Sequence, residues 1–205
     1  MTADFVYLAS ASPRRRALLE QIGVHFQVLG VAVDESVRPE EAPPEYVTRL
    51  AEAKAGAGWK LSCETVRAGG AARAAGNSPV LAADTAVALD GTILGKPAHR
   101  EDALDMLRRL SGRTHEVLTA IAVVTARGVE SRVSRSEVTF RAISHLEAHA
   151  YWDTGEPCDK AGAYAIQGRA AVFVADLRGS YSGVMGLPLY ETAELLGAAG
   201  VARWI

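Results

Sequence analysis

VLAADTAVALDGTILGKP, residues 80–97, is the stretch from which the fold class follows. Val80, Leu81, Ala82 and Ala83 form an unbroken apolar run after Pro79, the pattern of a strand buried on both faces, and Asp84 and Thr85 then fall at its carboxyl end. In open α/β sheets ligands bind in the crevice outside the carboxyl ends of strands. An ionisable group launched from a buried strand is therefore a catalytic or metal-binding candidate. The same Asp84 also reads as a solvated turn residue or a helix cap. Asp90-Gly91, between AVAL and TIL, is a type I′ hairpin signal. The returning arm ends in Gly95-Lys96-Pro97, which carries Lys96 back toward Asp84.

Toward the N-terminus, residues 5–9, FVYLA, predict a first strand, and Ser10-Ala11-Ser12-Pro13 turns it into a helix. Ser12 suits the N-cap, Pro13 the first helical position, and Leu18, Leu19 and Ile22 make an apolar face that Gly23 ends. Arg14, Arg15 and Arg16 in the first turn oppose the helix dipole, at about 0.3–1 kcal/mol each. A bound anion reverses that sign. Backbone N–H groups, the Ser10 and Ser12 hydroxyls and the forked donors of Arg14 and a neighbour would together cradle a phosphate, without the GxxxxGK[ST] loop. Residues 26–33 predict a second strand ending at Asp34-Glu35, with an acidic, proline-containing loop at 38–44. Such acidic pairs are commonly solvated, but one carboxylate facing Asp84 would complete a hard-cation site of the Mg²⁺ type. Helical periodicity resumes at Glu45, with Val47, Leu50, Ala51 and Ala55 on one stripe and Lys54 beside it; by pattern alone Lys54 is a surface lysine. Residues 55–78, rich in Ala and Gly, read as a flexible connector after a helical extension.

Beyond Pro97, residues 101–110 predict an amphipathic helix stopped by Ser111-Gly112. Residues 117–125 and 129–140 predict two long antiparallel strands of a mixed sheet. Ser144-His145-Leu146-Glu147 is a capping box for a helix that Gly155 closes. His145 and His149 stand at i and i+4 in it, but HLEAH is not HExxH and no third zinc ligand is evident. CDKAGAYAIQG, residues 158–168, places Asp159, Lys160 and Gln167 in a glycine-flanked loop. Residues 172–177 predict another strand, GSYSGVMG a loop, and Pro188 opens a final helix; the VARWI tail would add an edge strand.

At 205 residues the chain suits one domain with a large core. A net charge of −2 argues against a broad nucleic-acid surface, so phosphate recognition has to be local. No apolar run approaches the roughly 18 residues of a membrane span, and the first ten residues lack a basic segment followed by an apolar core, so a soluble, cytoplasmic protein is expected. Cys63 and Cys158, far apart and outside any CxxC, read as reduced thiols. GxGxxG, GxSxG and paired CxxC motifs are absent, leaving dinucleotide binding, α/β-hydrolase chemistry and zinc ribbons without their signals.

At LASASPRR, VDES, AADTAVALDGTILGKP, LSGRTHEVLTAIAVV, GEPCDKAGAYAIQG and GSYSGVMGLP the chain resembles the Maf family of nucleoside triphosphate pyrophosphatases, historically called septum formation inhibitors. The resemblance runs nearly end to end, the 55–78 connector excepted. It implies an elongated α/β fold with two lobes around a central cleft, similar to inosine triphosphate pyrophosphatases, usually as a homodimer. It also implies hydrolysis of a nucleoside triphosphate to the monophosphate and pyrophosphate with a divalent cation, Mg²⁺ or Mn²⁺. The family's proton acceptor matches Asp84, and its specificity positions match Arg14, Thr85 and Gln167, the combination of the dTTP/UTP branch; the branch acting on 7-methyl-GTP carries Trp, Gln and Glu there. Lys54, Lys96 and Arg15 match basic positions around the triphosphate, and Glu35 an acidic residue near the metal. On this reading Ser10, Ser12 and Lys160 join the substrate-binding set, and Glu35 and Asp84 share the metal.

The chemistry of these residue types agrees. Attack of water on an α-phosphorus needs a base, cations for the leaving pyrophosphate, and donors and acceptors for the nucleobase. Gln donates and accepts at once, which suits the imide edge of uracil or thymine. Two other readings compete: a nucleotide-binding regulator of cell division without catalysis, and a housekeeping hydrolase for modified pyrimidine nucleotides.

Overall fold

The computed structural model describes residues 5–67 and 78–201, organised on one seven-stranded mixed sheet. In chain order the elements are β1 (Val6–Leu8), α1 (Pro13–Gln21), β2 (Phe26–Val28), α2 (Pro43–Arg67), β3 (Val80–Leu89), β4 (Thr92–Leu94), α3 (Arg100–Leu110), β5 (Thr114–Thr125), β6 (Gly128–Phe140), α4 (His145–Trp152), β7 (Val174–Arg178), α5 (Tyr181–Met185) and α6 (Leu189–Ala198). Short 3-10 turns lie at Glu156–Asp159, Ala161–Ala163 and Arg169–Phe173. The strand order is β2-β1-β3-β5-β6-β7, with β4 also on β3. β1 is parallel to β2 and β3, and every other pairing is antiparallel.

The alternation of side chains along β3 sorts the core. Val80, Ala82, Ala86 and Ala88 pack with Val47, Ala51 and Ala55 of α2. On the opposite face Leu81 and Ala83 join Leu18 and Leu19 of α1 and Leu195 and Leu196 of α6, whereas Val87 and Leu89 join Leu107 of α3 and Tyr151 of α4. β5 divides in the same way, with Ile121 and Val123 in the first cluster and Val117 in the second. Between these two cores the paired residues are Thr85 and Thr119, followed across the sheet by Ser134. This hydroxyl row gives the two expected lobes a physical basis: the apolar packing on that face is interrupted there.

Asp84 is not at the end of its strand. β3 continues five residues beyond it, because β5 offers an unbroken partner from Val80↔Val124 to Ala88↔Glu116. The strand that does end is β1, whose pairing with β3 stops at Leu8↔Leu81, while β4 pairs only from Val87. One edge of β3 is therefore without a strand partner around Asp84 and Thr85 among the described residues. The crevice lies beside the carboxyl end of β1.

Other boundaries also move. The second strand ends at Val28, not at residue 33, leaving Glu35 in a loop. The connector expected from residue 55 is helical as far as Arg67, and residues 68–77 lie outside the described residues, as does the 202–205 end of the VARWI tail. Gly58 has a packing role in that helix: a Cβ there would stand 2.8 Å from Val80 Cγ1 and 3.0 Å from Ala9 Cβ, so the glycine lets α2 lie close on β1 and β3. GSYSGVMG contains α5, which Ser180 caps by accepting from the Gly183 N–H at 3.0 Å. The hairpin reading holds, with Asp90 at φ 51° and Gly91 at φ 77°, as a type I′ turn requires. The capping box at Ser144 and Glu147 is also present. Cys63 and Cys158 are free thiols. His149 Nδ1 lies 3.0 Å from Arg100 Nη2, and no group of three potential metal ligands occurs among the described residues. No described helix is long and apolar enough to cross a membrane.

His115, on β5, is 2% exposed between Phe140 and Tyr164, with Nε2 2.9 Å from the Tyr164 hydroxyl and Nδ1 without a partner among the described residues. Burial pushes its imidazole down to about 4. The folded protein holds the ring neutral while the unfolded chain protonates it near pH 6.5. Its contribution is therefore present above about pH 6.5 and lost as pH falls toward 4, up to about 3 kcal/mol. Urea unfolding midpoints measured from pH 7 to 4 should fall steeply in the wild type and less steeply in His115→Gln.

Candidate active site

A cleft of about 680 Å³ opens at the unpartnered edge of β3. Neighbouring residues in a strand point to opposite faces, so Asp84 faces α2 and Thr85 faces the hydroxyl row, yet the cleft reaches both around that edge. Asp84 is 7% exposed. Lys54, next to the buried Ala55 of α2, places Nζ 2.6 Å from Asp84 Oδ1 and 2.6 Å from Glu35 Oε1. A lysine that pattern alone assigned to the surface, and that the resemblance set around the triphosphate, is an ion-pair hub between two carboxylates. Its tether is the packing of α2 against the sheet.

The two carboxylates differ in environment. Burial pushes Asp84 above the usual aspartate range, against the pull of Lys54 and Arg15. Glu35, whose side chain is 48% exposed, is held below the usual range chiefly by its hydrogen bond to Lys54. Its loop is fixed by Ser36 N–H donating to Asp34 Oδ1 at 2.9 Å, Tyr46 Oη donating to the Glu35 carbonyl at 3.0 Å and Arg49 donating to the Ser36 carbonyl at 3.0 Å. Both carboxylate oxygens flank one position occupied by an ammonium, so this geometry accepts a cation. Two carboxylates without a third fit a Mg²⁺-type ion completed by water and substrate phosphate better than an all-protein cage.

Arg15, expected to be either solvated or phosphate-binding, lines the cleft and is also a tie between elements. Its Nε donates to the Gly186 carbonyl at 2.8 Å, one terminal nitrogen to Ser10 Oγ at 3.1 Å and the other to Thr85 Oγ1 at 3.3 Å. It ties α1, β3 and the end of α5 together, with burial lowering and Asp84 raising its proton affinity. Ser10 also accepts from the Ser12 N–H at 3.3 Å, whereas the Ser12 hydroxyl makes no capping bond. Arg14 and Lys96 line the cleft with no side-chain hydrogen bond among the described residues, and Lys160 lines it paired with Asp159. Arg14, Lys96 and Lys160 are therefore the cations best placed to meet an anionic ligand. Gln167 is exposed on the same cleft.

The Gln167 loop is held by residues to which its pattern assigned no role. Tyr151 Oη accepts the Ala165 N–H at 3.1 Å and donates to Glu156 at 2.7 Å; Glu156 accepts the Arg169 N–H at 3.0 Å and the Ala170 N–H at 3.4 Å. A Cβ on Gly168 would lie 2.3 Å from Glu156 Oε2, which explains the glycine. The one local signal is an acid between Gly155 and Pro157.

The family model described as Maf-like protein matches residues 5–199. The chain belongs to the Maf family. A Burkholderia pseudomallei relative named dTTP/UTP pyrophosphatase is 54% identical over 206 residues, covering 97% of this chain and 95% of that protein. A relative of the same name from Alkalilimnicola ehrlichii is 53% identical over 191 residues, covering 93% and 91%. Among solved structures, the Staphylococcus aureus Ham1 protein is 17% identical at a TM-score of 0.38, covering 68% of this chain and 72% of that one, too distant to bear on this Maf-family fold.

Replacing Glu156 by Ala leaves the Tyr151 hydroxyl and two backbone N–H groups short of a partner, at about 1–3 kcal/mol. Hydrogen exchange at Arg169 and Ala170 should accelerate and the thermal midpoint fall, with Gly168→Ala acting in the same direction; unchanged exchange at both amides would count against the clamp.

Proposed function

We propose that this chain hydrolyses nucleoside triphosphates, dTTP and UTP foremost, to the monophosphate and pyrophosphate. The observation that carries the proposal is a buried carboxylate of raised proton affinity, Asp84, in a cleft lined by unpaired cations. The names of relatives more than half identical along nearly the whole chain support the same reaction.

Asp84 is the general base. Its elevated proton affinity suits it to accept a proton from water as the oxygen attacks the α-phosphorus, while the bond to the bridging oxygen breaks and its electrons leave with pyrophosphate. Glu35 stays ionised beside it. Lys54 balances the two carboxylates and holds them in register. Arg14, Lys96 and Lys160 meet the phosphates, and Arg15 fixes Ser10 and Thr85 from behind. Glu35 and Asp84 would hold a divalent cation, which when bound supplies charge neutralisation at the phosphates. Thr85 and Gln167 meet the edge of the pyrimidine.

Pyrophosphate release from dTTP, UTP, CTP, GTP, ATP and 7-methyl-GTP with Mg²⁺ or Mn²⁺ tests this directly. Turnover should favour dTTP and UTP, stop on chelation, and fall by about 10²–10⁴-fold in Asp84→Asn with nucleotide binding retained. Binding without turnover in the wild type would instead indicate a nucleotide sensor. Glu35→Gln should raise the metal concentration needed for half-maximal rate more than it raises KM for the nucleotide.

A further inference from the structure

Thr119 is 1% exposed and lies on β5 directly across from Thr85. Its Oγ1 stands 2.7 Å from the Gly183 carbonyl oxygen, and a carbonyl only accepts, so the single Thr119 proton is committed there. The carbonyl is itself fixed in α5, where Ser180 holds the Gly183 N–H and the Gly186 N–H donates to the Gly183 oxygen at 2.9 Å. Thr85 Oγ1 and Thr119 Oγ1 are 2.9 Å apart, and with Thr119 unable to donate, the proton between them belongs to Thr85. Arg15 donates to Thr85 at 3.3 Å. The chain of hydrogen bonds thus has one direction, from Arg15 through Thr85 and Thr119 to Gly183. Thr85 has no donor left for the cleft and offers a ligand only a lone pair.

We propose that Thr119 is a positioning residue for base selectivity: by fixing the Thr85 hydroxyl as an acceptor, it makes the site take uracil and thymine and refuse cytosine. This rests on the reading above that Thr85 and Gln167 meet the pyrimidine edge. Gln167 alone cannot make the distinction. Its side chain has no hydrogen-bond partner among the described residues, so its amide turns over freely and offers either donor and acceptor or acceptor and donor. One orientation donates to the O4 of uracil and the other accepts from the amino group of cytosine, and N3 is left to Thr85. An unrestrained hydroxyl at Thr85 would be equally indifferent. A hydroxyl whose proton is already spent is not: it accepts from the N3–H of uracil or thymine and sets a lone pair against the N3 lone pair of cytosine. Polar mismatches of this kind discriminate strongly because the site's own groups go unpaired. The sequence trace of this device is a lone Thr at an inward position of the apolar strand LTAIAVV.

The test is the ratio of kcat/KM for UTP to that for CTP in the wild type, Thr119→Val and Thr119→Ser. Valine keeps the shape and removes the acceptor, freeing the Thr85 proton, so the ratio should fall about ten-fold or more; serine keeps the hydroxyl and should keep the ratio. A wild-type preference retained by folded Thr119→Val overturns this inference alone. A wild type without preference for UTP over CTP overturns the base-contact reading and this inference with it. A second measurement needs no variant: UTP methylated at N3 cannot donate to Thr85 and should be turned over at least ten-fold less efficiently than UTP by the wild type, and equal turnover of the two overturns the proposal.

Discussion

The site depends on an inequality between the two edges of β3. Along one edge β5 pairs with it for nine residues; along the other, β1 leaves after Leu81 and β4 arrives only at Val87. The continuous side keeps Asp84 and Thr85 in rigid extended backbone, and the interrupted side opens them to the cleft. Strand geometry sends these neighbours to opposite faces, and only at such an edge do two consecutive residues serve one ligand site with different chemistries. Asp84 meets the charged face under α2, and Thr85 meets the hydroxyl row under α5.

Charge at the Asp84 face is a contest between burial and pairing. Lys54 is within 2.6 Å of both carboxylates, yet Asp84 remains above its usual range because its burial outweighs the attraction, while the half-exposed Glu35 falls below its own. Two carboxyl groups sharing one ammonium are thereby pushed apart in proton affinity. On the other face the currency is hydrogen-bond direction, and there the constraint comes from a backbone carbonyl in α5.

The residues that line the cleft and those that hold them come from different kinds of sequence signal. Arg14 stands out because its charge opposes the helix dipole, and Lys96 because the hairpin returns it toward Asp84; Thr85 and Gln167 were singled out by the resemblance. Their supports do not stand out. Arg15 looked like its neighbours in the Arg14–Arg16 run, and Tyr151, Glu156 and Thr119 carry no local anomaly strong enough to name a partner, since each acts across 5 to 64 residues of chain. Lys54 is the clearest case. Helical periodicity places it beside the apolar stripe, and nothing within a turn of it reveals the two carboxylates it bridges.

The sequence by itself determined the order of the strands and of every helix but α5, the Asp90-Gly91 hairpin, the Ser144 capping box, the mixed sheet and, through motifs spread along the chain, the family and most of the cleft's polar side chains. These rest on short-range rules: period, turn chemistry and capping act within a few residues. Only the tertiary structure decided that Asp84 sits inside a strand rather than at its end, that α2 runs on to Arg67, that Arg15 is a tie between elements, and which way the Thr85 proton points. The physical reason is common to all four. Strand pairing, close helix packing at Gly58 and hydrogen-bond direction are each set by a partner distant in the chain, and a local pattern carries no record of where that partner stands.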